Sequence, residues 1–324
     1  MSKKTALLLL NTGSPDSSHP FDVARYLSKM LGDRRIVSVP WFFRKILVDC
    51  IIVPFRCFKS GSRYKKLVAM YDGKFPLVHY GEKVRTMLQD SLKDEATVFL
   101  GMRYGKPSIG KQIETIAKEE YERLVLVPLF PQYASSSSGS ALECALNILK
   151  KHSVIPEIHT VSSFFDHPLF VKAFAERIRQ AGYESYERIL FTYHSLPLCH
   201  IREVEGTAFD YEKACRKTSY LIAAELGLPE ERYEVSFQSR MSSKWLGPFT
   251  KELIVERAQS GVKKLLVVAP SFVADCLESS LELGVEAKAD FFAHGGEEYA
   301  VVESLNDSPL WVDCLKDIVS TKYN

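Results

Sequence analysis

Eight short apolar runs, each closed by a turn and followed by a helical pattern, constrain this 324-residue chain more than any other feature. They lie at 5–10, 97–101, 123–129, 158–162, 188–193, 234–237, 264–269 and 299–302. Runs of this length without polar alternation suit strands buried on both faces. Helical patterns between them call for right-handed crossovers in parallel sheets. Helices are expected at 109–120, at 168–180 with Asp166 as N-cap and Pro168 near N1, and at 213–226, stopped by Gly227 and Pro229.

The chain also repeats itself. Residues 158–174 and 299–315 align at an offset of 141, with identities Val161/Val302, Ser163/Ser304, Asp166/Asp307, Pro168/Pro309, Leu169/Leu310 and Val171/Val312. The strand at 123–129 meets the strand at 264–270 at almost the same offset. The fold class is therefore α/β, with two similar Rossmann-like halves at 1–165 and 166–324, each a parallel four-stranded sheet flanked by helices. A last helix over 308–321 can pack back on the N-terminal half. Ligands of such sheets sit beyond the carboxyl ends of the strands, so a cleft between the halves is the expected site.

Composition narrows the classes without naming a chemistry. A charge of +2, from 42 basic and 40 acidic residues, excludes the strongly basic field of a nucleic-acid binder. Seven cysteines (Cys50, Cys57, Cys144, Cys199, Cys215, Cys276 and Cys314) include no Cys-x-x-Cys pair. That spacing argues against a zinc ribbon or redox dithiol and fits free thiols in a reducing, cytoplasmic compartment. The apolar run after Lys3-Lys4 is too short for a signal sequence, and no stretch approaches the ~20 apolar residues of a membrane span. No glycine-rich phosphate-binding motif occurs. Residues 39–59, VPWFFRKILVDCIIVPFRCFK, mix aromatic, aliphatic and basic residues with one acid. They read either as a lip dipping into a membrane surface or as a core helix with a basic flank.

Candidate chemistry gathers just after the strands. His194, in Tyr193-His194-Ser195-Leu196-Pro197, is placed as a general base or metal ligand, or as a histidine that satisfies loop backbone groups. Asp275 and Glu278 straddle Cys276. They would share one face if a helix begins there, or form an N-cap and its capping-box partner, and the apolar lead-in gives Glu278 partly desolvated surroundings that suit proton exchange. Gly101-Met102-Arg103-Tyr104-Gly105, Pro131-Gln132-Tyr133 with the serines that follow, Phe237-Gln238-Ser239-Arg240 and Trp245-Leu246-Gly247-Pro248 offer aromatic faces, arginines and hydroxyls. Such a lining suits a flat apolar ligand with carboxylate tails.

In these motifs, and in Leu10-Asn11-Thr12-Gly13-Ser14-Pro15 and Leu31-Gly32-Asp33-Arg34-Arg35, the sequence strongly resembles the ferrochelatases. The resemblance runs nearly end to end. It implies insertion of Fe(II) into protoporphyrin IX or coproporphyrin III, with iron as a substrate and no cofactor required. It implies His194 as the metal-facing residue and pyrrole-proton acceptor, and Glu278 as the opposing carboxylate. Thr12, Arg103, Tyr104, Tyr133 and Trp245 fall at positions that hold the macrocycle, and 39–59 falls at the family's apolar lip. No iron–sulfur cluster is expected, since the cysteines of cluster-bearing members lie in a C-terminal extension. Departures stand at 72–77, at 206–212, where a proline is missing, and at 279–282. Other readings are a cobalt or nickel chelatase acting on a related tetrapyrrole, a non-catalytic porphyrin or haem carrier, and a Ser–His hydrolase built on Ser195 or Ser135–Ser138.

Overall fold

The computed structural model describes residues 4–321. All eight expected strands form: β1 Thr5–Asn11, β2 Thr97–Met102, β3 Arg123–Pro128, β4 Glu157–Thr160, β5 Arg188–His194, β6 Tyr233–Gln238, β7 Lys264–Val268 and β8 Glu298–Val301. They make two parallel four-stranded sheets, ordered β2-β1-β3-β4 and β6-β5-β7-β8. The two orders are the same, so the repeat seen in sequence is a repeat of topology. β4 and β8 begin 141 residues apart, at Glu157 and Glu298. The spacing of β1 and β5 differs because the β1–β2 connection, 12–96, is far longer than the β5–β6 connection, 195–232.

The apolar runs are apolar because both faces are covered. On one face of the first sheet Ala6, Leu8, Leu10, Leu124 and Leu126 pack with Ile109, Ile113, Ile116, Ala145 and Leu149 of two flanking helices. Leu7 and Leu9, pointing the other way, are also fully buried. In the second sheet Leu190, Leu265 and Val267 pack with Leu253, Ile254 and Phe291. Each such side chain contributes about 1.5–3 kcal/mol relative to an exposed one.

The chain divides into two compact units. One comprises the residues up to Phe130, Ala134–Ser163 and the segment from Leu315 on; the other comprises Pro131–Tyr133 and Phe164–Cys314.

Helix ends correct several expectations. The helix Pro168–Gln180 has the expected span, but its N-cap is His167, because Pro168 takes the first helical position and leaves Asp166 outside. The helix expected at 213–226 begins earlier, at Tyr211, where the Asp210 carboxylate accepts from Lys213 N at 3.0 Å. It stops at Gly227 with φ +67°. The helix opened by Ser108 ends at Lys118 rather than at 120, and Glu120 turns to φ +56°. Three stretches wind as π-helix: Ile46–Ile52, Ser135–Gly139 and Glu278–Ala287. The serine run is thus helical.

Residues 39–59 lie on a continuous helical run through Trp41–Lys45, Ile46–Ile52 and Val53–Met70. One face of the run is core, with Val48 and Val53 buried among Val23, Tyr26, Leu27 and Leu31, while the other face is apolar and exposed. Trp41 is 67% exposed, Phe55 80% and Phe58 69%, and Phe42 and Phe43 also face solvent. Among the described residues no helix is long and apolar enough to cross a membrane.

Candidate active site

His194 is the last residue of β5, paired in register with Gln238 at the end of β6. The strand delivers its half-buried ring to the carboxyl edge of the second sheet. Its Nδ1 lies 2.6 Å from the Ser195 carbonyl oxygen. A carbonyl only accepts, so Nδ1 carries the proton and Nε2 keeps its lone pair. One nitrogen therefore satisfies a loop backbone group, and the other lies outside that contact.

The surrounding loop is tied down. Ser195 N donates to Gln238 O at 2.8 Å, and Ser195 Oγ donates to Leu246 O at 2.7 Å. Leu246 N returns a bond to Leu196 O at 2.9 Å. These bonds bring Trp245 against His194, with ring centroids 6.4 Å apart. From below, Tyr211 Oη donates to the His194 carbonyl at 2.8 Å. Burial holds the Tyr211 phenol well above its ordinary range, with the neighbouring Cys215 adding to the effect, so it stays a donor. The hydrolase reading built on Ser195 ends here, because Ser195 is fully buried with its hydroxyl committed to a carbonyl.

Glu278 opens the π-helix that follows β7, the strand beside β5. It is half-buried. Neither reading of the Asp275–Glu278 pair survives. Asp275 precedes the helix, so the two carboxylates share no helix face. The Asp275 carboxylate instead accepts from Asn306 Nδ2 at 2.8 Å and Ser279 Oγ at 3.1 Å. The reach-back bond of a capping box is made by Ser279 Oγ, which accepts from Cys276 N at 3.0 Å, leaving Glu278 free of that task. Burial pushes the Cys276 thiol well up, and the adjacent Glu278 carboxylate pushes it further, so the site holds a neutral thiol beside a carboxylate. Among the described residues no cluster of three or more His, Cys, Asp or Glu forms a ready-made metal cage.

Tyr133 lies against Phe209 of the 206–212 segment, with ring centroids 4.8 Å apart and the planes tilted by 54°. Its neighbour Gln132 donates to Thr218 Oγ1 at 3.0 Å.

In the other unit, Thr12 follows β1 and its carbonyl accepts from Tyr104 N at 3.0 Å. This backbone contact needs glycine: Gly13 has φ +93°, and a Cβ there would meet Met102 Cβ at 2.9 Å. Arg103 and Tyr104 converge on Asp33, a residue quoted above only as part of a motif. Arg103 Nη2 reaches Asp33 Oδ2 at 2.7 Å, Tyr104 Oη reaches it at 2.8 Å, and Ser140 Oγ donates to the same oxygen. Arg35 N donates to Oδ1 at 2.8 Å. Burial alone would raise the Asp33 pKa, but the bonds from Ser140, Arg35 N and Tyr104 with the Arg103 charge outweigh it and hold the carboxylate below its usual range. Tyr104 is itself buried and its phenol is pushed up by burial and by Asp33. Tyr104 thus braces Arg103 from within, and the Arg103 guanidinium lies 4.7 Å over its ring. Asp33, Ser140 and Tyr211 were missed as site residues. Only the presence of an acid within Gly32-Asp33-Arg34-Arg35 hinted at the first.

A family model described as Ferrochelatase matches residues 4–323. The chain belongs to the ferrochelatase family. The ferrochelatase of Legionella pneumophila (strain Lens) is 35% identical over 335 residues, covering 99% of this chain and 100% of its own. That of Pseudomonas paraeruginosa is 35% identical over 337 residues, covering 97% of both chains. Among solved structures, the cobalt complex of the sirohydrochlorin chelatase SirB from Bacillus subtilis subspecies spizizenii matches with a TM-score of 0.60 at 13% identity, over 99% of this chain and 95% of that one. SirB from Bacillus subtilis with Fe3+ gives 0.56 at 13% identity, over 99% and 96%. At this identity the likeness speaks for the fold alone.

Proposed function

We propose that this chain is an enzyme that inserts Fe(II) into a porphyrin and releases two protons. The observation that carries the reading is His194 in a ferrochelatase-family chain: a rigid imidazole at a strand end, Nδ1 tied and Nε2 free, against Trp245. Metalation requires an out-of-plane macrocycle and an acceptor for pyrrole protons. An enzyme gains rate by binding the distorted ring better than the flat one. In this reading Trp245 and Tyr133 contribute aromatic surface, and Thr12, Arg103 and Tyr104 contribute macrocycle-binding residues from the first half. His194 Nε2 takes a pyrrole proton and faces the incoming metal. Glu278 supplies the second carboxylate function, in metal handling or proton exit. No resident cofactor takes part.

The reading places the protein in the cytoplasm with peripheral membrane contact through 39–59. Exposed Trp41, Phe55 and Phe58 beside Lys45, Arg56 and Lys59 support that contact. The same apolar lip favours protoporphyrin IX over coproporphyrin III. The test is anaerobic metalation of both porphyrins with Fe(II), Co(II) and Zn(II), followed by the Soret band. Turnover with Fe(II) is expected. Porphyrin binding without turnover would leave a carrier, and turnover restricted to cobalt or nickel and a more carboxylated ring would leave the other chelatase class.

A further inference from the structure

The turn that launches Glu278 is held by a buried reciprocal pair that none of the motifs describes. Asp275 N donates to Asn306 Oδ1 at 2.9 Å, and Asn306 Nδ2 donates back to Asp275 Oδ2 at 2.8 Å. Asn306 is fully buried and Asp275 nearly so. Asn306 N also donates to Val273 O at 2.9 Å, so Asn306 grips both ends of the segment 273–275. The backbone there is strained: Asn306 sits at φ +48°, a region an asparagine tolerates and most side chains avoid. The far end of Asp275 is tied to the helix itself, since Ser279 Oγ donates to Asp275 Oδ1 at 3.1 Å and accepts from Cys276 N at 3.0 Å. Glu278 stands between Cys276 and Ser279, and both are fixed by this brace.

The internal repeat gives an independent argument. Aligning the two π-helix starts, Ser135 and Glu278, sets Asp275 against Gln132, and the 141-residue offset of β4 and β8 sets Asn306 against Phe165. The half that lacks a counterpart of Glu278 thus lacks both members of the pair. A brace needed only to close a βα unit would be expected in both halves. Backbone strain retained on one side only points to a task specific to that side.

We propose that Asn306 is a positioning residue for metalation. Through Asp275 it fixes the start of the π-helix and so the placement of the Glu278 carboxylate. The inference rests on the proposed role of Glu278. It requires the hydrogen-bonded contact, not a negative charge at position 275.

The test is a charge swap. In Asn306→Asp, two carboxylates oppose one another and the donor is lost. Asn306 Nδ2 also donates to Glu303 Oε1 at 2.9 Å, so the swap combines Asp275→Asn and Asn306→Asp with Glu303→Gln, which restores the contact with the charge on the other side and removes the opposing carboxylate. Asn306→Gly keeps the backbone angle and removes the side chain. Steady-state Fe(II) insertion is read with thermal melts of each protein. The expected result is a fall in kcat of about ten- to a hundredfold for Asn306→Asp and Asn306→Gly, with porphyrin KM unchanged, since small misplacement of a reacting group costs rate. The swap should recover most of kcat. Wild-type kcat in folded Asn306→Gly, or a folded swap as slow as Asn306→Asp, overturns the proposal. If Asn306→Asp does not fold, the comparison of the swap with Asn306→Gly decides. Failure of the proposed function would look different: no metalation by the wild type, or full activity in Glu278→Gln.

Discussion

The Nδ1 atom of His194 lies 2.6 Å from the carbonyl oxygen of Ser195, the next residue in the chain. This contact orients the imidazole without a carboxylate partner, and it leaves Nε2 as the nitrogen outside the contact.

Removing that nitrogen should abolish most turnover while sparing the fold. His194→Ala is expected to lower kcat by about 10²–10⁴-fold, the usual range for a lost proton acceptor. Circular dichroism and porphyrin affinity should stay close to wild type. A folded His194→Ala protein with near-normal Fe(II) insertion would sink the assignment.

The Tyr211 hydroxyl donates to the His194 carbonyl at 2.8 Å from a fully buried site. Tyr211→Phe leaves that carbonyl unpaired and should cost about 1–3 kcal/mol of stability. It should also lower kcat several-fold without weakening porphyrin binding. Urea unfolding and steady-state assays check the two effects separately, and an unchanged kcat would confine Tyr211 to a structural role.

Asp33 carries the clearest pH prediction. Its pKa is lower in the folded protein than in the unfolded chain, where it is near 4. Its stabilising contribution is therefore complete above pH about 4 and is lost as the pH falls through the folded value. Asp33→Asn should be less stable than wild type at neutral pH, and its stability should vary less between pH about 5 and about 2. Urea midpoints across that range test this; parallel curves for the two proteins would contradict it.

The exposed rings of Phe55 and Phe58 should matter to partitioning and not to folding. Changing both to serine is expected to leave stability within about 0.5 kcal/mol. Binding to vesicles with anionic lipid should fall at least tenfold, since each buried ring is worth about 1.5–3 kcal/mol. Added salt should weaken the wild-type interaction further through Arg56 and Lys59. Equal sedimentation of wild type and variant with vesicles would exclude the lip as the contact.

The strands were legible because a parallel strand covered on both faces writes its burial directly into a short apolar run, as Leu7–Leu10 does, whereas their order within each sheet was not. The strand ends shifted by a residue or two, and the N-cap of one helix moved from Asp166 to His167, because local chemistry at a proline decides such details. His194 was visible from its place after a strand. The networks around it were not. Asp33 meets Arg103 across 70 positions of sequence, and Asn306 meets Asp275 across 31. No periodicity announces either meeting. The π-helix from Glu278 was equally hidden, since a widened turn carries no pattern distinct from an α-helix. For Glu278 the residues alone suggested a cap, a shared helix face or a desolvated place for proton exchange, and the resemblance to the family chose the opposing carboxylate.

The compact unit built on the first sheet also contains the segment from Leu315 on, where Lys316 Nζ donates to Ser91 O at 2.9 Å. During synthesis its four strands emerge first, yet the piece that completes it emerges only after the whole second sheet. The half that is made first is therefore finished last. Until Leu315 appears, the nascent chain carries an incomplete first unit beside a second that already has its own strands, and the exposed aromatic rings of 39–59 add to its adhesive surface. That interval is when such a chain most needs protection from aggregation.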